Sequence, residues 1–309
     1  MTDAALSKPF DLQVNGYGGV DFNKGDLTAA ELETACAAMA ESGVGAALAT
    51  IITDHIDVMA ARLARLAQLR ENSALARRLI VGFHIEGPFL SPADGYRGAH
   101  PADAIRPAEI DAAKRLLDAA GGLTKLVTLA PECDEGFKVT KLLAAEGVKV
   151  AAGHCDPSLD TLRAACDAGV TLFTHLGNGC PMRIHRHDNI VQRALSLSER
   201  LWLCFICDGA HVAFPALGNY IRCAGAKRCI AVTDAIAPAG LGPGRYTLSR
   251  WDLLIGDDMV ARAPDGSHLV GSTITMPQTA RNLVDRCWLT PAEAARMTTT
   301  NPRRALGLA

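Results

Sequence analysis

The chain has 309 residues, 49% of them hydrophobic and 21% charged, with a formal net charge of −2. That is enough chain to bury a full core, and the composition is that of an ordered globular protein rather than a disordered one. Scattered basic residues and near-neutral charge argue against a nucleic-acid surface, and the longest strongly apolar stretch, 43–53, is far short of the roughly 20 residues that span a bilayer.

In chain order, Met1-Thr2-Asp3-Ala4-Ala5 carries an acid and little apolar character, so no secretory leader is expected. Strand-length apolar runs follow at 10–15, 45–53, 79–86, 125–131, 149–154, 170–175, 201–207 and 229–234. Most are continuous rather than alternating, as strands buried on both faces should be. Helical patterns lie between them, at 28–42, 58–71, 107–120, 135–146 and 158–168 among others. Thr28 and Ser158 are expected N-caps, with Glu31 and Thr161 three residues on. Gly43, Gly147 and Gly169 fall where helices should end.

Beyond the eighth run, 237–244 is rich in Gly and Pro. Two strand-like segments, 246–255 and 259–263, with Gly256-Asp257-Asp258 as a turn, predict a β-hairpin insertion at about 238–270. Closing helices are expected at about 276–306, with Thr290-Pro291-x-Glu293 as one helix start. Eight β–α repeats predict an α/β fold: a (β/α)8 TIM barrel forming one domain over 1–309. Ten cysteines do not follow a secreted disulfide spacing. Cys204, Cys207 and Cys229 lie inside apolar runs, where a thiol behaves as a small hydrophobe. The expectation is a reduced, cytoplasmic protein, with Cys204-x-x-Cys207 in the core rather than a redox or zinc motif.

Glu86, His154, His175 and Asp234 each end one of these apolar runs. In a parallel barrel the strand C-termini share one rim, where catalytic groups gather. Any one of the four alone reads as a hydrogen-bonded structural residue or a turn former; together they predict a metal site. Glu86, His154 and His175 suit a divalent transition metal, with zinc, iron, manganese and cobalt all compatible. Three protein ligands leave a place for water, whose pKa the ion lowers, and Asp234 beside it can take and return a proton. Gln13-x-Asn15 on the first strand offers only weak amide ligands, which predicts a single ion per chain. Lys125 and Lys149 begin their strands, at the opposite rim.

Several segments carry a resemblance: Asp11-Leu12-Gln13-Val14-Asn15-Gly16, His84-Ile85-Glu86-Gly87-Pro88-Phe89, Gly98-Ala99-His100, Ala130-Pro131-Glu132, Gly153-His154, Thr174-His175-Leu176, Cys207-Asp208-Gly209-x-His211, Thr233-Asp234-Ala235 and Gly271-Ser272-Thr273. In this order, over 10–308, the chain resembles the N-acetylglucosamine-6-phosphate deacetylases of the amidohydrolase superfamily. The resemblance implies hydrolysis of the acetamide of an amino-sugar phosphate. It implies Glu86, His154 and His175 as metal ligands, Asp234 as general base and acid, and His100 as a group polarising the amide carbonyl. It further implies His211, Asn178 and Gly179 in substrate binding, and Arg186 on the phosphate across a homodimer interface.

The sequence departs from that pattern in three places. The small β domain built from both termini is expected to be absent or vestigial. The segment after His175 reads Gly177-Asn178-Gly179-Cys180-Pro181 rather than an aromatic residue followed by Asn-Ala-Met. The next stretch, Arg183-Ile184-His185-Arg186-His187-Asp188, is dense in cations and reads either as a clamp for phosphate or carboxylate or as a solvated loop. Cleavage of another N-acyl, cyclic amide or lactone substrate therefore stands as an alternative, as does non-catalytic binding of a sugar phosphate. His55, His185, His187 and His268 have no assigned role.

Overall fold

A computed structural model of the protein describes residues 8–248, 251–266 and 268–308. Eight strands, β1 (Phe10–Val14), β2 (Ala46–Ile52), β3 (Ile80–Glu86), β4 (Thr124–Leu129), β5 (Lys149–Ala152), β6 (Val170–Phe173), β7 (Trp202–Ile206) and β8 (Cys229–Val232), form one sheet in sequence order. Every neighbouring pair in it is parallel. Each expected apolar run coincides with one of these strands, β4 beginning one residue earlier at Thr124. Their continuity has a simple cause, since both faces are covered. Phe10, Leu12, Leu48, Leu126, Leu172 and Ile230, drawn from strands all round the sheet, meet in a single buried cluster inside the barrel. The outward residues Ala49, Ile51, Phe83 and Val127 pack instead in the larger core shared with the helices.

The barrel closes between β8 and β1 without a full ladder. Val14 and Ala235 form a lone parallel bridge, and Asn15 N donates to Ala235 O at 2.7 Å. Below it the buried Asp11 carboxyl accepts from Thr233 Oγ1 at 2.5 Å and from the Thr233 and Gln13 amides at 3.2 Å each. A side chain thus supplies the hydrogen bonds that a continuous pair of strands would have made. Ser272 completes the seam: its amide donates to Asp234 O at 3.0 Å and its hydroxyl to Thr233 O at 2.6 Å.

The helices begin where the capping residues place them. Thr28 and Glu31 form a reciprocal capping box for helix Ala29–Glu41, and Ser158 accepts from the Thr161 amide ahead of Leu159–Ala168. Thr290 and Glu293 cap Pro291–Ala295 in the same way. No helix among the described residues is long and apolar enough to cross a membrane. The ten cysteines are free thiols.

Two expectations need correction. The stretch 246–255 is two strands, not one: β9 (Gly244–Leu248) and β10 (Trp251–Ile255) pair antiparallel, and β11 (Ala261–Arg262) adds to β10. Residues 249–250, between the two strands, lie outside the described residues. Leu253, Ile255 and Ala261 from this small sheet, with Val270 beyond it, pack on Ile236, which fixes the sheet over the barrel mouth beside Asp234. Second, β5, β6 and β8 stop at Ala152, Phe173 and Val232. His154, His175 and Asp234 therefore lie two residues beyond their strands, and only Glu86 is itself a strand residue.

Burial pushes Asp11 up to about 7 from an ordinary 3.8, against the hydrogen bonds from Thr233 and Gln13. The folded protein therefore holds a proton there that the unfolded chain releases, so stabilisation present below the unfolded value is lost as pH rises towards 7. In metal-free protein, chemical denaturation at a series of pH values should show wild type losing stability relative to Asp11→Asn between about pH 4 and 7, by an amount on the order of a few kcal/mol. A difference that stays flat over that window would show that Asp11 titrates normally.

Candidate metal centre and active site

At the C-terminal rim the side chains meet above a buried polar layer. His84, two residues before Glu86, places Nε2 at 2.7 Å from Thr128 Oγ1, which in turn lies 2.7 Å from Thr174 Oγ1. Burial pushes His84 down to about 4, so its imidazole is neutral at physiological pH. Gly153 is required beside this layer. A Cβ there would come within 2.7 Å of Thr128 and 3.0 Å of Thr174, so no side chain fits ahead of His154.

His154, His175 and Asp234 have φ of 50°, 27° and 52°. A non-glycine residue in the left-handed region costs on the order of 1–3 kcal/mol and persists only where its surroundings enforce it. Here the turn lifts each side chain off the strand direction and over the barrel axis. The His154 ring is further held between two glycines: a Cβ on Gly98 would lie 3.1 Å from its Cε1, and one on Gly179 3.0 Å from its Nδ1.

The result is convergence. Glu86 Oε1 lies 3.0 Å from His175 Nε2 and 3.4 Å from His154 Nε2, and the two imidazole nitrogens are 3.2 Å apart. His100 Nε2 stands 3.1 Å from His154 Nε2. All four residues are buried. Burial by itself raises the Glu86 carboxyl, but the hydrogen bonds to His154 and His175 outweigh it and hold the group well below the ordinary range. Burial lowers His175, and Glu86 more than reverses that. Burial pushes His100 down to about 3, so it is neutral.

This donor set fits a divalent cation. Tetrahedral zinc with bonds of about 2.0–2.1 Å spaces its ligand atoms about 3.3–3.4 Å apart, close to the separations found here. His154 Nδ1 lies 2.8 Å from Tyr96 O, which can only accept, so Nδ1 carries a proton and Nε2 is the nitrogen left to face a cation at the convergence point. The anionic Glu86 supplies the charge that a cation needs.

The first-strand amides have a part that their ligand chemistry did not suggest. Gln13 Nε2 donates to Glu86 Oε2 at 3.1 Å, and Asn15 Nδ2 donates to Asp234 Oδ1 at 2.7 Å. Each orients one carboxylate and leaves its other oxygen facing the site. Burial, then the nearby Glu86 carboxylate, push Asp234 up to about 6.

The cleft over these groups is lined by Asn15, Asn178, His211, Asp234 and the Leu269–Gly271 segment from beyond the small sheet, together with the Glu86, His100, His154 and His175 cluster. His211 is oriented by Asp208, whose Oδ2 lies 2.6 Å from Nδ1 and whose Oδ1 accepts the amides of Ala210 and His211. Among the expected site residues, Gly179 packs on the His154 ring rather than lining the cleft, and Arg186 is exposed on the 181–188 loop, outside this subunit's own cleft. The four histidines without a role, His55, His185, His187 and His268, are all exposed. Sequence reasoning passed over Tyr96, Asp208 and Ser272. Asp208 and Ser272 stand in the quoted motifs, whereas the Tyr96 contact is made by a backbone oxygen and left no trace in residue type.

Residues 10–309 match the amidohydrolase family. The chain is 32% identical over 306 residues to the N-acetylgalactosamine-6-phosphate deacetylase of Escherichia coli O157:H7, covering 99% of this chain and 79% of that protein. It is 30% identical over 302 residues to the N-acetylglucosamine-6-phosphate deacetylase of Bacillus subtilis, covering 97% and 75%. A solved structure of a Mycobacterium smegmatis N-acetyl-D-glucosamine-6-phosphate deacetylase mutant, in complex with N-acetyl-D-glucosamine-6-phosphate, superposes with a TM-score of 0.87 at 32% identity, covering 97% of this chain and 77% of that one.

Removing a group that orients a ligand typically lowers metal affinity about 10–100-fold while the ligands remain. Gln13→Ala should do so in a chelator competition assay. Unchanged affinity would show that Glu86 needs no such support.

Proposed function

This chain belongs to the amidohydrolase family, and from that we propose that it hydrolyses the acetamide of an N-acetylated amino-sugar 6-phosphate, N-acetylglucosamine-6-phosphate giving glucosamine-6-phosphate and acetate. One observation carries the reading: a buried carboxylate, Asp234, shares the mouth of the barrel with a Glu86–His154–His175 cluster able to hold a cation. Binding a sugar phosphate without reacting it needs no such proton acceptor. Relatives acting on both the glucosamine and galactosamine epimers match at similar identity, so both phosphorylated sugars belong among the substrates tried.

One divalent ion per chain, zinc in the first instance, is assigned to Glu86, His154 and His175. When bound there, such an ion lowers the pKa of a coordinated water and polarises a carbonyl. The remaining roles fall to the protein. Asn15 occupies Asp234 Oδ1, so Oδ2 takes a proton from the attacking water and returns it to the departing amine. Burial pushes this carboxyl up to about 6 in the metal-free site, and a bound cation beside it would favour the anionic, proton-accepting form. His100, neutral at this rim, presents an N–H to the oxygen on which charge develops. His211, fixed by Asp208, and Asn178 hold the sugar.

Arg186 is assigned to the phosphate of a substrate in a neighbouring subunit, which its exposure outside the lining of its own cleft supports and which implies a homodimer. The chain is taken as one barrel unit, with the small three-stranded sheet as an insertion into it. Ten free thiols support a reducing, cytoplasmic setting.

Turnover should be compared on N-acetylglucosamine-6-phosphate and on the unphosphorylated sugar. A bidentate arginine–phosphate contact predicts kcat/KM higher by about 100-fold or more for the phosphorylated form. Equal values would remove the phosphate from the recognition scheme and favour a different N-acyl substrate. Asp234→Asn should keep its metal and lose turnover by about 10²–10⁴-fold. Activity near wild type would remove Asp234 from the chemistry.

A further inference from the structure

The loop that departs most from the family pattern, 177–188, is not free to move independently of the metal centre. One side chain connects the two. Arg193, on helix Ile190–Ser196 just beyond the loop, is only 14% exposed despite its position at the surface. Its Nε donates to Asp188 Oδ1 at 2.6 Å and its Nη2 to Asp188 O at 3.4 Å. Its Nη1 reaches the other way, to Asp156 Oδ1 at 2.8 Å and Pro157 O at 2.9 Å. One guanidinium therefore bridges the last residue of the cationic stretch and the loop that begins at His154.

Both ends of this bridge are anchored. On the metal side, the Asp156 amide donates to Glu132 Oε1 at 2.6 Å, while Tyr96 sets its carbonyl against His154 Nδ1 and its hydroxyl towards Asp156. On the loop side, the Asp188 amide donates to His185 Nδ1 at 2.9 Å, and Asn189 Nδ2 donates to His185 O at 2.7 Å. His185 immediately precedes Arg186. A chain of hydrogen bonds and ion pairs thus runs from the metal ligand His154 to the residue beside Arg186. Lysine could not reproduce it, because a single ammonium cannot span two carboxylates and two carbonyls in a fixed plane.

We propose that Arg193 is a positioning residue for substrate specificity: it locks the 183–188 loop to the His154 loop and so fixes where Arg186 presents its guanidinium to the substrate phosphate. The inference rests on the reading of Arg186 as the phosphate contact. Arg193 itself touches no substrate. Releasing it should let the loop wander, which weakens capture of the phosphate and leaves the chemistry at Asp234 in place.

The test compares Arg193→Gln, Arg193→Lys and Arg186→Ala on N-acetylglucosamine-6-phosphate and on the unphosphorylated sugar, with metal content and thermal unfolding measured alongside. Arg193→Gln should raise KM for the phosphorylated substrate about ten-fold or more, the loss of a charge-assisted contact. Its kcat, its metal content and its kcat/KM on the unphosphorylated sugar should stay within about two-fold, with Arg193→Lys recovering only part of the KM. Equal losses on both substrates would overturn the proposal, since a merely structural residue would produce them; so would an unchanged KM where Arg186→Ala raises it. If Arg186→Ala also leaves KM unchanged, the phosphate-contact reading fails and the proposal fails with it. Should Arg193→Gln not fold, Asp188→Asn removes an exposed partner of the same guanidinium; it carries the same expectation and is overturned by the same outcomes.

Discussion

Glu86 is the group on which the rest of the site depends. A carboxylate buried at the barrel mouth is costly unless it is paired, and here two imidazoles face one oxygen while the Gln13 amide holds the other. Keeping Glu86 anionic sets the charge of everything around it. It draws His175 above its ordinary range and adds to the burial that pushes Asp234 up. One carboxylate held well below its ordinary range thereby lies near another pushed above it. That division of labour between two acids is the chemical content of the site.

The backbone is bent to serve it. Three of the four principal side chains leave their strands in the left-handed region, and Gly98, Gly153 and Gly179 clear space around the His154 turn. The strain is tolerable because the barrel below is well satisfied, with an apolar interior, a Thr–His–Thr layer above it and a seam closed by Asp11 and Ser272. The same seam residues grip the backbone on either side of Asp234. Barrel closure and placement of Asp234 are one set of hydrogen bonds.

Much of this was legible in the sequence, and the limits have physical causes. Parallel strands buried on both faces leave continuous apolar runs, so the eight strands could be read directly, and ligand chemistry at their ends marked Glu86, His154, His175 and Asp234. Capping chemistry marked Thr28, Ser158 and Thr290. The left-handed turns could not be read, because tertiary packing imposes them on histidine and aspartate, residues that also sit comfortably in a strand. The division of 246–255 into β9 and β10 was not legible because no Gly, Asn or Pro interrupts that run. Gln13 and Asn15 were weighed only as ligands, and their donation to the two carboxylates became visible once the barrel brought strands far apart in sequence together. The Arg193 bridge joins segments that nothing in residue spacing connects.

The site proposed at Glu86, His154 and His175 requires one cation, and only one, for hydrolysis. Chelator-stripped protein should be titrated with zinc while turnover of N-acetylglucosamine-6-phosphate is followed at each addition. Activity should be negligible without metal and rise linearly to saturate at one equivalent per chain. Activity independent of metal, or a rise that continues to two equivalents, would contradict that requirement.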